Sequence, residues 1–168
     1  MRQYLEVKER YPEAFVFFRL GDFYEMFFED AVEGARLLDL TLTTRDKGRE
    51  DAVPMCGVPY HAARSYVARL LELGRKVVIC EQVEDPRQAK GLVRREVTRV
   101  ITPGVVIDED QLEAKADSYL LAVVPDAAGT RFGLAYLIIT TGDFRATEIE
   151  GALALCDEFG RIEPRELL

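Results

Sequence analysis

The stretch Arg19–Asp30, RLGDFYEMFFED, decides how the first part of the chain is organised, because a Gly-Asp turn is followed at once by two aromatics and a carboxylate. Helices in water ordinarily open on small polar residues. At about 100° per residue, Tyr24, Phe28, Ala31 and Ala35 fall on one face, flanked by Phe27 and Leu38, with Glu29, Glu33 and Arg36 opposite. That spacing predicts a helix running from Asp22 with its apolar face in the core. Asp22 and Glu25 fit a capping box, the Asp side chain accepting from orphan N–H groups and Glu25 reaching back.

Phe23 falls at the edge of that apolar face, about 110° from its centre. Two readings of it stay open on the residues alone. It is a satellite contact packed under a neighbouring loop, or it is an aromatic probe that enters a nucleic-acid groove and stacks on a base.

Upstream, MRQYLEVKERYP sets Tyr4, Val7 and Tyr11 at helical spacing before Pro12, and AFVFFRL reads as a largely buried strand ending at Gly21. Downstream, LTLTTRD reads as a strand and KGREDAVPMCGVPYH as a long, turn-rich candidate functional loop containing Pro54, Gly57 and Pro59. AARSYVARLLELG predicts an amphipathic helix with Ala63, Tyr66, Leu70 and Leu73 inward and Gly74 as its C-cap. A strand KVVICEQV, a basic loop EDPRQAKGLVRR and a strand EVTRVIT follow, closed by Pro103-Gly104. Strands and helices in this order give an α/β fold, a mixed β-sheet with flanking helices.

Composition turns polar and acidic at VIDEDQLEAKAD, which divides the chain into a first domain over 1–107, a linker over 108–117 and a second unit over 118–168. In the second unit YLLAVVP and RFGLAYLIITT predict a hairpin around DAAG, GDFRATEI a third strand and GALALCDEF a short helix. About 50 residues rarely build a self-sufficient core. With the chain stopping at IEPRELL, this unit is expected to be a truncated domain of a longer protein.

A hydrophobic content of 48% over 168 residues supports a folded core. No apolar run approaches the roughly 20 residues of a membrane-spanning helix, and the charged N-terminus does not fit a signal peptide, so a cytoplasmic location is expected. Cys56, Cys80 and Cys156 are dispersed, which predicts reduced thiols rather than a disulfide framework or zinc site. His61 has no second histidine to share a metal with, and a loop or helix-start role is expected for it.

The net charge of −8 is unevenly spread. Residues 1–107 hold 17 basic and 17 acidic side chains, while residues 108–168 hold 5 and 13 and so carry the whole surplus. Residues 61–107 are locally basic, 9 against 5, with RQAKGLVRREVTR the densest run. Charge of that size fits a solvated face as well as a nucleic-acid footprint.

FFRLGDFYEMFFEDA, PMCGVPYHA, VVICEQVEDP and VTRVITPG resemble, in order and spacing, the N-terminal mismatch-recognition domain of the MutS family of DNA mismatch repair proteins. LLAVV and FGLAYLIITTGDF resemble the opening of that family's connector domain, which is similar to an RNase H fold. The resemblance implies a MutS domain I-like α/β fold followed by a partial RNase H-like connector. The family's connector strand often reads AYLD; Ile138 stands in the acidic position here, so no carboxylate metal site is implied there.

By the same resemblance, the family's Phe-x-Glu motif maps onto Phe23-Tyr24-Glu25. The Phe would stack on a mispaired or unpaired base from the minor groove, and the Glu would hydrogen-bond it. Leu20 and Asp22 would flank this wedge, Arg45 would contact phosphate or minor groove, and Met55, Tyr60 and His61 would border the DNA. Arg87, Lys90, Arg94 and Arg95 are candidates for the wider electrostatic footprint.

Implied partners are double-stranded DNA with mismatches or small insertion/deletion loops, a MutL-like protein at the connector, and a second subunit of a dimeric parent. No membrane is implied, and the setting is bacterial, cytoplasmic and nucleoid-associated. ATP and Mg2+ would belong to a distant domain of the parent, since no G-x-x-x-x-G-K-[ST] occurs in these residues. The piece itself is expected to be no enzyme and to hold no cofactor or metal. Two rival functions are a nuclease using Asp22, Glu25 and Asp143 around a metal and a protein-interaction scaffold.

Overall fold

Phe15, Val16, Phe17 and Phe18 are all buried, as expected of a strand covered on both faces. They belong to β1 (Phe15–Leu20), near the centre of a six-stranded mixed sheet. The computed structural model describes residues 1–45, 52–84, 91–104 and 119–168. The start of the turn-rich loop, Arg87 and Lys90 of the basic run, and the expected linker over 108–117 lie outside the described residues.

Helix α1 (Arg2–Arg10) precedes β1, and β2 (Phe23–Phe27) follows it across a two-residue turn. Then come α2 (Phe28–Leu38), β3 (Thr43–Arg45), β4 (Val53–Pro59), a 3-10 turn over Tyr60–Ala62, α3 (Ala63–Glu72), β5 (Val77–Gln82) and β6 (Arg95–Ile101). Spatial order in the sheet is β3-β4-β2-β1-β5-β6, with β1 parallel to β5 and the other pairs antiparallel. Tyr4 and Val7 of α1 pack on the face carrying Val16, Phe18, Phe27, Val78 and Cys80. On the opposite face α2 lies close to Phe15 and Met26 through Gly34, and α3 packs beside it.

The helix expected from Asp22 is a strand for its first five residues. Phe23–Phe27 pairs with β1 on one side (Phe18↔Glu25, Arg19↔Tyr24, Leu20↔Phe23) and with β4 on the other (Phe23↔Pro59, Glu25↔Gly57, Phe27↔Met55). Two ladders satisfy more of its backbone than one helical turn would, and the segment's aromatics suit the pleated surface. Gly21, at φ +59°, takes the first position of the hairpin turn, where a side chain would be strained. Asp22 therefore has no helix to cap and Glu25 is no part of a capping box; α2 starts at Phe28, with Phe27 in the cap position.

The chain switches from strand to helix at Phe28, a non-glycine residue at φ +53°. Buried Asp30 locks this junction: it accepts from Tyr4 Oη (2.7 Å), Lys8 Nζ (2.7 Å) and the Val16 amide (3.1 Å). The Tyr4 ring stands edge-on to Phe27 and Phe18. Asp30 thus ties α1, β1 and α2 together where β2 leaves the sheet.

The turn-rich loop is also corrected, since Val53–Pro59 forms β4. Its prolines fall near the strand's two ends, and Cys56 and Val58 alternate inward against half-buried Met55, Gly57 and Pro59. In α3 the buried residues are Ala63, Val67, Leu70 and Leu71, so the apolar face is rotated from the expected one and Leu73 is exposed. The helix ends as expected at Gly74 (φ +74°), whose amide bonds the Leu71 carbonyl while Arg75 bonds that of Leu70, a Schellman closure.

Contacts divide the chain into Met1–Ile101 and Thr102–Leu168. The second unit has β7 (Tyr119–Pro125), β8 (Arg131–Ile138) and β9 (Asp143–Glu150) as an antiparallel meander, then α4 (Ala152–Ile162) and a short β10 (Glu166–Leu167) parallel to β7. Its core is Leu121, Leu134, Tyr136 and Ile162, with Leu155 and Phe159 of α4 packed against it. The hairpin and helix match the expectation; β10 was too short for any sequence pattern to mark. Among the described residues no helix is long and apolar enough to cross a membrane.

Candidate nucleic-acid interface

Strand geometry changes what Phe23 and Glu25 can do together. Two residues apart on a helix they would point to different sides, but on a strand positions i and i+2 share a face. Phe23 and Glu25 therefore project side by side, while Tyr24 and Met26 turn into the opposite core. The pairing register puts Leu20 and Pro59 beside Phe23, and Phe18 and Gly57 beside Glu25.

Along this face, burial falls toward the β1–β2 turn. Phe18 is 5% exposed under α1, Leu20 is half-buried and Phe23 is 46% exposed. A large apolar ring at the rim of a sheet, beside a tight turn, is placed to enter another molecule. This overturns the helical-wheel picture of Phe23 as a ring at a helix edge.

Gly57 lets β4 pass close beside Glu25. A Cβ there would lie 3.2 Å from the Tyr24 carbonyl oxygen, tighter than ordinary van der Waals contact, and 3.4 Å from Glu25 Cγ. Burial pushes the Glu25 carboxyl above its usual range, and the nearby positive charges of Arg45 and Arg95 pull it partly back. Among the described residues its carboxylate makes no hydrogen bond or ion pair, so its acceptor and donor capacity is available to a ligand.

Arg45 and Arg95 reach this patch from opposite ends of the sheet, β3 and β6. The Arg45 guanidinium lies 5.9 Å from the Phe27 ring centroid and its Nη1 donates to Met1 Sδ at 3.8 Å. Arg95 lies 5.2 Å over the Phe18 ring, and donates to the carbonyls of Arg19 (2.6 Å) and Val93 (2.8 Å). Burial depresses the Arg95 guanidinium below its ordinary value, the positive charge of Arg45 adds to this, and Cys80 and Glu25 oppose it. Two guanidinium groups against one carboxylate give a locally positive surface around an aromatic and an acid.

The remaining expected residues are spread around this patch. Leu20 sits on the same face beside Phe23; Asp22 is exposed in the turn, its carbonyl accepting from the Tyr60 amide at 2.9 Å. Met55 is partly buried beside Phe27, nearer α1 than the rim. Tyr60 and His61 are exposed in the 3-10 turn, their rings edge-to-face at 5.8 Å. Arg94 is exposed and paired with Glu96.

Sequence reasoning missed the separate placement of Arg95, which stood undistinguished in the basic run, although its position directly before EVTRVIT, two residues from Val97 on the same strand face, was a usable signal. It also missed Gly57, hidden by the loop assignment. Cys56 and Cys80 are buried with thiols pushed up to about 11 by desolvation, which fits core packing. Among the described residues no group of three or more His, Cys, Asp or Glu converges as a metal site, and Asp143 is ion-paired with Arg145.

Comparison with known proteins finds relatives of the sequence. Residues 1–110 match the family model described as MutS domain I, and residues 118–168 match MutS domain II. The chain is 60% identical over its whole length to the DNA mismatch repair protein MutS of Syntrophobacter fumaroxidans, covering 19% of that protein. It is likewise 58% identical to MutS of Myxococcus xanthus, covering 18%, and 51% identical to MutS of Streptococcus suis, covering 20%. The chain thus spans about a fifth of the length of these bacterial relatives.

Proposed function

Because this chain belongs to the MutS family, of which it carries domains I and II, we propose that it is a mismatch-reading module in which Phe23 wedges into the minor groove and Glu25 bonds the displaced base. The observation that carries this reading is the shared face of Phe23 and Glu25, with the ring exposed at the sheet's rim and the carboxyl half-buried beside it.

The physics gives selectivity without a base code. Inserting an apolar wedge unstacks a base step at a cost of a few kcal/mol, least where pairing is already defective. A mismatch yields to Phe23 and a matched pair resists, so deformability is what is read. Glu25 next to phosphates would be repelled if charged, but burial already favours its neutral form, and the groove removes more water. Protonated, it donates to a purine N7; charged, it accepts from an imino N–H.

Arg45 and Arg95 supply positive charge for the backbone, and Leu20, Asp22, Met55, Tyr60 and His61 border the contact. The longer protein would couple this module to a MutL-like partner through domain II, dimerise, and hydrolyse ATP with Mg2+ in a domain these residues do not include. It would work in the bacterial cytoplasm at the nucleoid.

The test is fluorescence-anisotropy titration of the chain with heteroduplex and homoduplex DNA of one sequence. Phe23→Ala should bring heteroduplex affinity down to the homoduplex level, and normal preference in that variant would refute the wedge. Glu25→Gln should keep binding but lose discrimination; an unchanged ratio would sink the role of Glu25.

A further inference from the structure

The face of the hairpin opposite Phe23 carries a cluster that the wedge itself does not use. Arg19 pairs with Tyr24 in register, so its side chain points to the α2–α3 side, away from Phe23 and Glu25. Its guanidinium lies 4.0 Å from the Tyr60 ring centroid and 5.4 Å from that of Tyr24. Arg19 Nε donates to the Gly21 carbonyl at 2.6 Å, and the Tyr60 amide donates to the Asp22 carbonyl at 2.9 Å. Tyr24 Oη donates to Glu81 of β5, anchoring the same unit across β1.

Both carbonyls of the two-residue turn are therefore held, and the two residues that hold them are stacked on each other. The Arg19 carbonyl also accepts from Arg95, which joins this brace to the charged side of the probe. A glycine-led turn is otherwise a compliant support. A wedge works only if the base stack yields before its own mounting does, so the turn's stiffness decides how much of the insertion reaches the DNA.

We propose that Arg19 is a positioning residue for Phe23: stacked on Tyr60 and bonded to Gly21, it stiffens the β1–β2 turn against the load of base unstacking. The inference rests on the wedge reading above. Planarity is what matters, because a lysine keeps the charge but neither stacks as a plane nor presents the Nε–H fork.

The experiment uses the 168-residue chain with Arg19→Lys, Arg19→Met and, as reference, Phe23→Ala. Without DNA, amide exchange at Tyr60 should speed up by about fivefold in Arg19→Lys, the scale of one exposed cation–π contact. Protection at Val78 in β5 should be unchanged, which certifies folding. With DNA, the heteroduplex-to-homoduplex ratio should fall by a similar factor while homoduplex affinity and its salt slope stay as in the unsubstituted chain. If Arg19→Lys does not fold, Arg19→Met, which keeps the apolar stem but has neither the guanidinium plane nor the Nε–H, carries the test through the same ratio and the exchange of the Phe23 amide.

An unchanged ratio in Arg19→Lys, with Phe23→Ala abolishing it, overturns the brace and leaves the wedge intact. A shallower salt slope with unchanged exchange overturns it too, making Arg19 a phosphate contact. A ratio that survives Phe23→Ala refutes the wedge itself, whatever the exchange rates report.

Discussion

Asp30 offers the sharpest test of how the strand that carries Phe23 is held. Its carboxylate is 6% exposed and receives hydrogen bonds from Tyr4 Oη, Lys8 Nζ and the Val16 amide. In Asp30→Ala the three donors fare differently. Tyr4 Oη keeps the Phe27 carbonyl at 3.2 Å, and Lys8 keeps the Ala14 carbonyl at 2.9 Å with its side chain 27% exposed. The Val16 amide, in a residue with no exposed surface, loses the acceptor that completes its strand after β2 departs. An orphaned buried N–H costs about 1–3 kcal/mol, and breaking a mostly buried ion pair brings the total toward about 3–5 kcal/mol. Asp30→Asn keeps one acceptor oxygen for Tyr4 Oη and the Val16 amide but loses the charge and the acceptor for Lys8 Nζ, which retains the Ala14 carbonyl, so a smaller loss of about 1–3 kcal/mol is expected.

Because the chain has two units, a single far-UV unfolding curve does not define one free energy. Native-state amide exchange at Val16, Phe17 and Phe18 reads the first unit alone. The expected order is unsubstituted chain, then Asp30→Asn, then Asp30→Ala, with Leu121 and Leu134 of the second unit unaffected. A loss below about 1 kcal/mol in Asp30→Ala would mean that water or rearrangement satisfies Val16, and the locking role would fall.

Three further outcomes follow from the same geometry. The Glu25 carboxyl is raised by burial, so it binds its proton more tightly folded than unfolded; its stabilising contribution is present below its unfolded value and lost as pH rises through the folded one. Glu25→Gln should flatten the pH dependence of first-unit stability across that window, and parallel profiles for the two proteins would contradict the shift. Gly57→Ala should displace the Glu25 side chain and lower heteroduplex discrimination toward the Glu25→Gln level, while the Phe23-dependent part of binding persists; anisotropy on the double variant Gly57→Ala/Glu25→Gln should show no additive loss. Gly74→Ala meets no atom within 4 Å, so its cost should be the left-handed backbone alone, about 1–2 kcal/mol by denaturant titration, and a larger loss would reveal a clash.

Much of the first unit was legible because its strands and helices announce themselves by period. AFVFFRL and KVVICEQV are unbroken apolar runs, and both lie in the middle of the sheet where two faces are buried. The second unit's hairpin was legible from two alternating runs around a short turn. FYEMF was not, because aromatics spaced through a mixed segment satisfy a helical wheel and a strand alternation alike. VPMCGVP was hidden by its prolines and glycine, which mark turns in most contexts but here sit in a strand flanked by β2 and β3.

By itself the sequence determined the α/β class, the break in composition after the first unit and, through long motifs in order, the likeness that drew attention to Phe23 and Glu25. Only the tertiary structure decided that these two share a face, that Arg45 and Arg95 flank them from distant strands, and that Arg19 and Tyr60 hold the turn from beneath. The reason is that strand state and side-chain direction are set by hydrogen bonds to residues far along the chain. Period can show which residues prefer burial, but the partners β1 and β4 fix which way Phe23 points.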